Sequence, residues 1–322
     1  MKAAVLHGFG ENPRYEEFRK PNPGEGEILI RVKAVALENI DKAMAKGTHF
    51  ASRQFLSELP AIVGFDGVGE TPDGRLVGFG GVKAPFGAMA EWTVVPSNYT
   101  VPIPDGVDAI TAASVPSSAL TALFPLKWVA GMKSGETVLI NGATGVSGKL
   151  AVQIAKMLGA GRIVGTGRNP ESMKRVLEYG ADAVIDLKQP QEELTETFRR
   201  EAGEGYDVIL DFLWGSPTEA LIRSMVPDEI RLAGKRTRLV QIGEKAGETI
   251  ALSAEMLRTT GLEIYGGAAG LTGETMQEGT NMVWDWLKED KLRMDVDVVE
   301  LRDIERIWQR KDFEGKRIVI VT

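Results

Sequence analysis

Along the first third of the chain the apolar residues fall in short runs, cut by Pro, Gly and Asn. "KAAVL", "EILIRVKAVAL", "GRLVGF" and "EWTVV" have the composition and punctuation of β-strands. From about residue 116 the pattern changes. Apolar strands "TVLING", "RIVGTG", "DAVIDL", "YDVILDFL", "TRLVQIG" and "GLEIYGG" alternate with stretches of helical periodicity at Lys149–Leu158, Glu171–Tyr179, Gln191–Glu201 and Glu219–Met225. Strands that read as unbroken apolar runs between helices predict a parallel sheet covered on both faces. After "IYGGAAG" come a helix at Gly273–Lys288, a second at Leu301–Arg310 and a last strand "KRIVIVT", which we place back against the N-terminal region. The expected fold is α/β, with a β-rich domain over 1–115 completed by 268–322 and a doubly wound parallel sheet over 116–267.

Length and composition narrow the field. A chain of 322 residues fits about two domains. The net charge of −7 argues against nucleic acid or an anionic membrane as the main partner. With no cysteine, there can be no disulfide framework, thiol nucleophile or cysteine-ligated zinc. No apolar run reaches the ~18 residues of a membrane span. The opening "MKAAVLHGFG" lacks the apolar core of a signal peptide. A cytoplasmic location is the expectation.

The candidate chemistry begins at "LINGATGVSGKLAVQIAKMLGA", residues 139–160. Ala143-x-Gly145-x-x-Gly148 is the dinucleotide fingerprint with alanine at its first position, between a strand and a helix as the motif requires. Gly145 would let backbone approach a pyrophosphate, Gly148 would let the helix pack closely, and the helix N-terminus would face the anion. Ala143, Thr144, Gly145, Val146 and Gly148 are therefore cofactor-binding candidates. The alternative is a tight turn and nothing more.

Which dinucleotide follows from the end of the second strand. An NAD site carries Asp or Glu there for the ribose 2′-hydroxyl. Here "RIVGTG" is followed by Arg168, Asn169 and, one turn into the helix, Lys174, so Gly167 and Arg168 take the place of the acid. A guanidinium can fork onto a 2′-phosphate that a carboxylate would repel. The expected cofactor is NADPH. The competing reading of Arg168 is a solvated surface residue.

With these residues in view, the chain resembles the medium-chain dehydrogenase/reductase superfamily, in its zinc-free quinone oxidoreductase-like branch. The resemblance rests on "KAAVL", "PNPGEGEILIRVKA", "IVGFDGVGE", "SALTAL", "MKSGETVLINGATGVSG", "YGADAVID" and "GKRIVIV", and covers essentially the whole length. It implies a GroES-like substrate domain, a Rossmann domain and a homodimer. It also implies nicotinamide contacts from Thr121, Trp214, Gly243, Gly266 and Gly267; the bland readings are core packing for the tryptophan and turn geometry for the glycines.

The departures from the family are as informative. Zinc-dependent members carry a Cys three residues before an Asp, where this chain has Glu38 before Asp41. Their Gly-His-Glu appears as Gly64-Phe65-Asp66, and their further Cys ligand aligns with Ser117. No metal is expected. The quinone reductases similar to this chain carry Asn at the position of Glu38, and Asn39 stands one place later. A Tyr that often follows a Gly by two residues is replaced, after Gly47, by His49. His49 and Asn39 are the catalytic candidates, as donors to the substrate oxygen. His49 also admits a reading as a surface or core-satisfied histidine, and His7 reads as structural.

The expected reaction is reduction of a small-molecule quinone or α,β-unsaturated carbonyl. Conjugation spreads the developing charge where no metal polarises the oxygen. The alternatives are a zinc-free alcohol dehydrogenase and a non-catalytic NADPH-binding sensor or structural protein.

Overall fold

The structure, a computed structural model, describes residues 1–227, 235–310, 313 and 315–322. It divides into two compact units, Met1–Pro116 with Met294–Thr322, and Ser117–Arg293.

In the first unit, β1 (Lys2–Leu6), β2 (Arg14–Glu17) and β4 (Ala61–Ile62) form a three-stranded sheet in the order β2-β1-β4. A larger sheet contains β3 (Glu27–Leu37), β5 (Gly67–Glu70), β6 (Leu76–Phe79), β7 (Trp92–Pro96), β8 (Thr100–Pro102), β15 (Val296–Glu300) and β16 (Arg317–Val321). Its order is β15-β16-β3-β5-β6-β8, with β7 also paired to β3. Two strands can share one side of β3 because it is 11 residues long: β7 pairs along Glu27–Arg31 and β16 along Ala34–Leu37. The C-terminal strand β16 lies antiparallel to β3 with Ile318 opposite Leu37, so the two ends of the chain share a core that includes Ile30, Val35, Leu37, Phe79, Ile318 and Ile320.

In the second unit, six strands are parallel throughout: β9 (Thr137–Asn141), β10 (Arg162–Gly167), β11 (Ala183–Asp186), β12 (Val208–Asp211), β13 (Thr237–Gln241) and β14 (Leu262–Gly266). The order is β11-β10-β9-β12-β13-β14. Numbered within the sheet this is 3-2-1-4-5-6, the doubly wound dinucleotide-binding arrangement, whose strand order reverses between β9 and β12. The central strands are buried on both faces: Val138, Leu139, Ile140, Val208, Ile209 and Leu210 are all fully inaccessible. That is why they read as continuous apolar runs.

The boundary between the units differs from the expected residue 267. Helix Gly273–Lys288 and the turn after it belong to the second unit. A Cβ at Gly279 would stand 3.0 Å from Leu120, and Lys127 is ion-paired with Glu278. The Gln153 amide closes the segment by donating to Arg293 O (2.9 Å) and accepting from Arg293 N (2.8 Å). Apolar contact and a two-way hydrogen bond hold the helix to this unit. Sequence pattern, which ends each element locally, carries neither.

Candidate dinucleotide and substrate sites

Because the six strands are parallel, their C-terminal ends share one edge of the sheet. The loops there carry most of the cofactor candidates: Ala143 to Gly148 after β9, Gly167 to Asn169 at the end of β10, Trp214 after β12, Gly243 after β13, and Gly266 and Gly267 at the end of β14.

The turn after β9 is made by Gly142, at φ +96°. An L side chain resists that conformation. Sequence reasoning passed over Gly142, although an Asn-Gly pair after an apolar run is a turn signal. Gly145, by contrast, has φ −75°, is exposed, and has room for a Cβ, whose nearest neighbour would be Gly142 O at 3.5 Å. Gly148 has no such room. A Cβ there would come within 2.3 Å of Gly142 O and 2.7 Å of Ala143 Cα, so its hydrogen is what lets helix Val146–Met157 seat against the turn. No side chain caps this helix. The N–H groups of its first turn have no acceptor inside the helix and face the region before Val146, the ordinary geometry for an anion.

Arg168 stands one residue past β10, exposed, with no hydrogen bond or ion pair among the described residues. Its neighbours are more committed. The Asn169 side chain accepts from Ser172 N (2.9 Å) and caps helix Pro170–Glu178. Lys174 lies 3.4 Å from Glu171, an exposed pair of little energetic weight. Gly167 is pressed against Thr144, whose Cγ2 would lie 2.1 Å from a Cβ. Thr121 is exposed on helix Pro116–Phe124, where its hydroxyl donates to Ser117 O (2.9 Å).

Trp214 is half-buried, with its ring against the apolar core of this unit, and adopts φ 56°, ψ −163°. That conformation is costly for a residue with a Cβ. It is held by Asp211, whose Oδ1 accepts from Trp214 N (3.0 Å) and Leu213 N (2.9 Å). Asp211 is fully buried, and burial raises its pKa against the pull of the surrounding donors. It escaped the sequence reading because it looks like the polar end of the apolar run "VILD".

In the first unit, the positions aligned with zinc ligands hold a different arrangement. Glu38 Oε1 meets Arg317 Nη1 at 3.0 Å, and the Arg317 side chain is only 7% exposed. Asp41 Oδ2 accepts from Glu38 N (2.7 Å), closing a capping box at the start of helix Asn39–Lys46. Burial, together with the Glu38 and Asp66 charges, holds the Asp41 carboxyl well above its ordinary range. Asp66 reaches solvent but is ringed by protein; burial and the Glu38 charge push it up to about 6. Phe65 offers no lone pair. Among the described residues, no group of three or more His, Cys, Asp or Glu is placed to hold a metal ion.

Asn39 is exposed in the first turn of helix Asn39–Lys46. His49 follows that helix, its ring packed on Phe50 with centroids 4.4 Å apart and planes tilted by 33°. Its Nδ1 accepts from Ala51 N (3.3 Å), which leaves Nε2 to carry the proton and act as a donor. Phe50 itself is 95% exposed. His7 is paired with Glu16 at 2.8 Å on the surface.

The strand order and glycine turn define a dinucleotide-binding fold. The family model described as zinc-binding dehydrogenase matches residues 147–288. A chloroplastic quinone-oxidoreductase of Triphysaria versicolor is 31% identical over 237 residues, covering 65% of this chain and 67% of that protein. A quinone oxidoreductase of Pseudomonas aeruginosa is 30% identical over 192 residues, covering 56% of this chain and 57% of the relative. Several curated relatives are matched over only 52–58% of their own length. The solved quinone oxidoreductase of Thermus thermophilus, described with its NADPH complex, superposes with a TM-score of 0.80 at 27% identity, covering all of both chains. The chain belongs to the quinone oxidoreductase-like branch of the medium-chain dehydrogenase/reductase superfamily.

Proposed function

We propose that this protein is an NADPH-dependent oxidoreductase that delivers a hydride to a quinone or an α,β-unsaturated carbonyl without zinc. The observation that carries the proposal is Arg168, an exposed guanidinium at the tip of β10 with no partner among the described residues, beside the Gly142–Gly148 turn. The NADPH complex of the Thermus thermophilus relative points the same way.

The residues fit the cofactor. The uncapped helix at Val146 would receive the pyrophosphate, the open face of Gly145 would let it approach, and Arg168 would pair with the 2′-phosphate. NADPH, when bound, supplies the hydride; the chain positions it and stabilises the charge that forms on the acceptor.

The donor set argues against zinc. Glu38 is already neutralised by Arg317, Phe65 cannot ligate, and Ser117 is a weak substitute for a thiolate. A conjugated acceptor needs the least outside polarisation, and His49 Nε2–H is the donor we assign to its oxygen. No helix among the described residues is long and apolar enough to cross a membrane; a cytoplasmic homodimer completes the reading.

The deciding experiment follows NADPH oxidation with quinones, enones, aldehydes and alcohol–NADP⁺ pairs in parallel, with and without a chelator. Turnover confined to conjugated acceptors and insensitive to chelation is expected. Activity on simple alcohols and aldehydes would move the chain to the alcohol dehydrogenases, and chelator-sensitive activity would reinstate a metal. NADPH binding without turnover on any acceptor would leave a sensor or structural protein.

A further inference from the structure

Asp211 is fully buried, and no cation is paired with it among the described residues. A carboxyl in that situation survives only if hydrogen bonds replace the water it has lost. Asp211 has a full set. Oδ1 accepts from Asn141 Nδ2 (3.0 Å), Leu213 N (2.9 Å) and Trp214 N (3.0 Å), and Oδ2 accepts from Thr218 Oγ1 (2.6 Å). Its main-chain oxygen accepts from Ile242 N (2.8 Å) and Gly243 N (3.1 Å).

The bonds continue across the sheet. Asn141 Oδ1 accepts from Thr166 Oγ1 (2.9 Å), and Thr166 Oγ1 accepts from Gly142 N (2.8 Å). One buried relay thus crosses β10, β9 and β12 at their C-terminal ends. It ends in loop backbone on both sides of the strand-order reversal: Gly142 at φ +96° and Trp214 at φ 56°. Glycine adopts the first freely, but the second is one that a residue with a Cβ leaves unless it is restrained. The two loops also touch, since a Cβ at Gly142 would lie 3.1 Å from the Leu213 side chain.

We infer that Asp211 is a positioning residue for dinucleotide binding, fixing through this relay the two loops that flank the β9–β12 crevice. The inference rests on the cofactor reading above for its ligand, but not for its geometry. A sheet could fill this volume with apolar side chains. The carboxylate instead has enough acceptor sites to hold two consecutive loop amides and a side chain from the neighbouring strand at one oxygen.

The test uses the full-length protein and three substitutions. Asp211→Ala removes the acceptors. Asp211→Asn keeps Oδ1 for the three donors, and Thr218 can turn its hydroxyl to accept from the new amide. Thr237→Val removes an equally buried hydroxyl from the same sheet, one that donates to Tyr206 O (2.7 Å) at the start of β13. Two readouts are taken: NADPH affinity by titration, and amide hydrogen exchange at Gly142, Leu213 and Trp214 without cofactor.

Asp211→Ala should weaken NADPH about tenfold or more and raise its KM, with a smaller loss of kcat at saturation, and should speed exchange at those three amides. Asp211→Asn should stay within about threefold on both readouts. Thr237→Val should lower the melting temperature and leave both unchanged. If Asp211→Ala does not fold, Thr218→Val gives a graded version with the same direction. Unchanged exchange at the three amides, or binding losses that track melting temperature across all variants including Thr237→Val, would overturn the inference. If the parent protein does not bind NADPH at all, the cofactor reading falls, while the exchange measurement still decides the relay.

Discussion

The Ala143 methyl lies against the bare Cα of Gly165 on the neighbouring strand: a Cβ added at Gly165 would sit 2.9 Å from that methyl and 2.9 Å from Val176 Cγ1. Gly165 thus leaves room for the methyl at the fingerprint's first position, while Gly142 makes the turn itself. Gly165→Ala should therefore overpack the site and cost ~1–3 kcal/mol of stability. Ala143→Gly in the same background should return part of that loss, leaving the clash with Val176. Urea unfolding of the two single variants and the double variant measures the coupling; strictly additive effects would show that the two residues do not share the space.

The parallel sheet was legible because its central strands are apolar on both faces, and the punctuation between strands is chemically plain. The N-terminal half was less so. The helix that Asn39 opens is not announced by the usual Ser or Thr cap, because Glu38 and Asp41 cap each other instead. Gly165 and Asp211 could not be found from their own segments. The importance of each comes from a partner elsewhere in the sheet, Ala143 in the turn after β9 in one case and Asn141 on β9 in the other, and strand order is not written in a local pattern.

Gly145 and Gly148 should separate binding from folding. Gly145 has φ −75°, ψ 170°, a region valine tolerates, and open space on its Cβ side. Gly145→Val should abolish NADPH binding by filling the anion's approach, at a capping cost of about 1 kcal/mol. Gly148→Ala should instead lose more stability, because backbone atoms that cannot step aside lie 2.3 and 2.7 Å from the new carbon. Calorimetric titration and thermal melts on both variants read the contrast. Tight binding by folded Gly145→Val would move the pyrophosphate elsewhere.

Arg168 should decide between the two nicotinamide dinucleotides. Losing a charge-assisted bond to the 2′-phosphate costs about 1.5–3 kcal/mol, roughly ten- to a hundredfold in affinity. Arg168→Asp adds repulsion and offers an acceptor to a ribose hydroxyl, so the preference for NADPH over NADH should vanish or invert. The ratio of kcat/KM for the two cofactors is the measurement. Equal use of both by the parent protein would remove Arg168 from the site.

The acidic cluster around Arg317 should make stability depend on pH in a defined direction. Asp66 is raised to about 6 by burial and by Glu38, against an unfolded value near 4. Between these values the folded state binds more protons than the unfolded state, so stability falls as pH rises through that window and is regained on acidification. Asp41 pulls in the same direction. Because Asp66 reaches solvent, screening limits its share to no more than about 1 kcal/mol. Asp66→Asn should therefore be slightly more stable than the parent at pH 7 and show a flatter profile between pH 4 and 6. Denaturant midpoints across that range check it; a less stable variant at pH 7 would mean that the carboxylate's attraction to Arg317 outweighs its burial.

His49 should govern the chemical step and not cofactor binding. With Nδ1 accepting from Ala51 N, its Nε2–H is free to donate, and a single oxyanion-type donor is worth ~10²–10³ in rate at a preorganised site. His49→Ala should lower kcat by that order on a simple enone. The loss should be smaller on a quinone, whose two carbonyls share the incoming charge. NADPH affinity should stay nearly constant, since His49 belongs to the first unit and the glycine turn and Arg168 belong to the second. His49→Asn, which keeps an N–H donor on a shorter side chain, should recover part of the enone rate. Rates within a few-fold of the parent on both acceptors would make His49 a bystander packed on Phe50. Asn39 would then inherit the role, or water would supply the proton unaided.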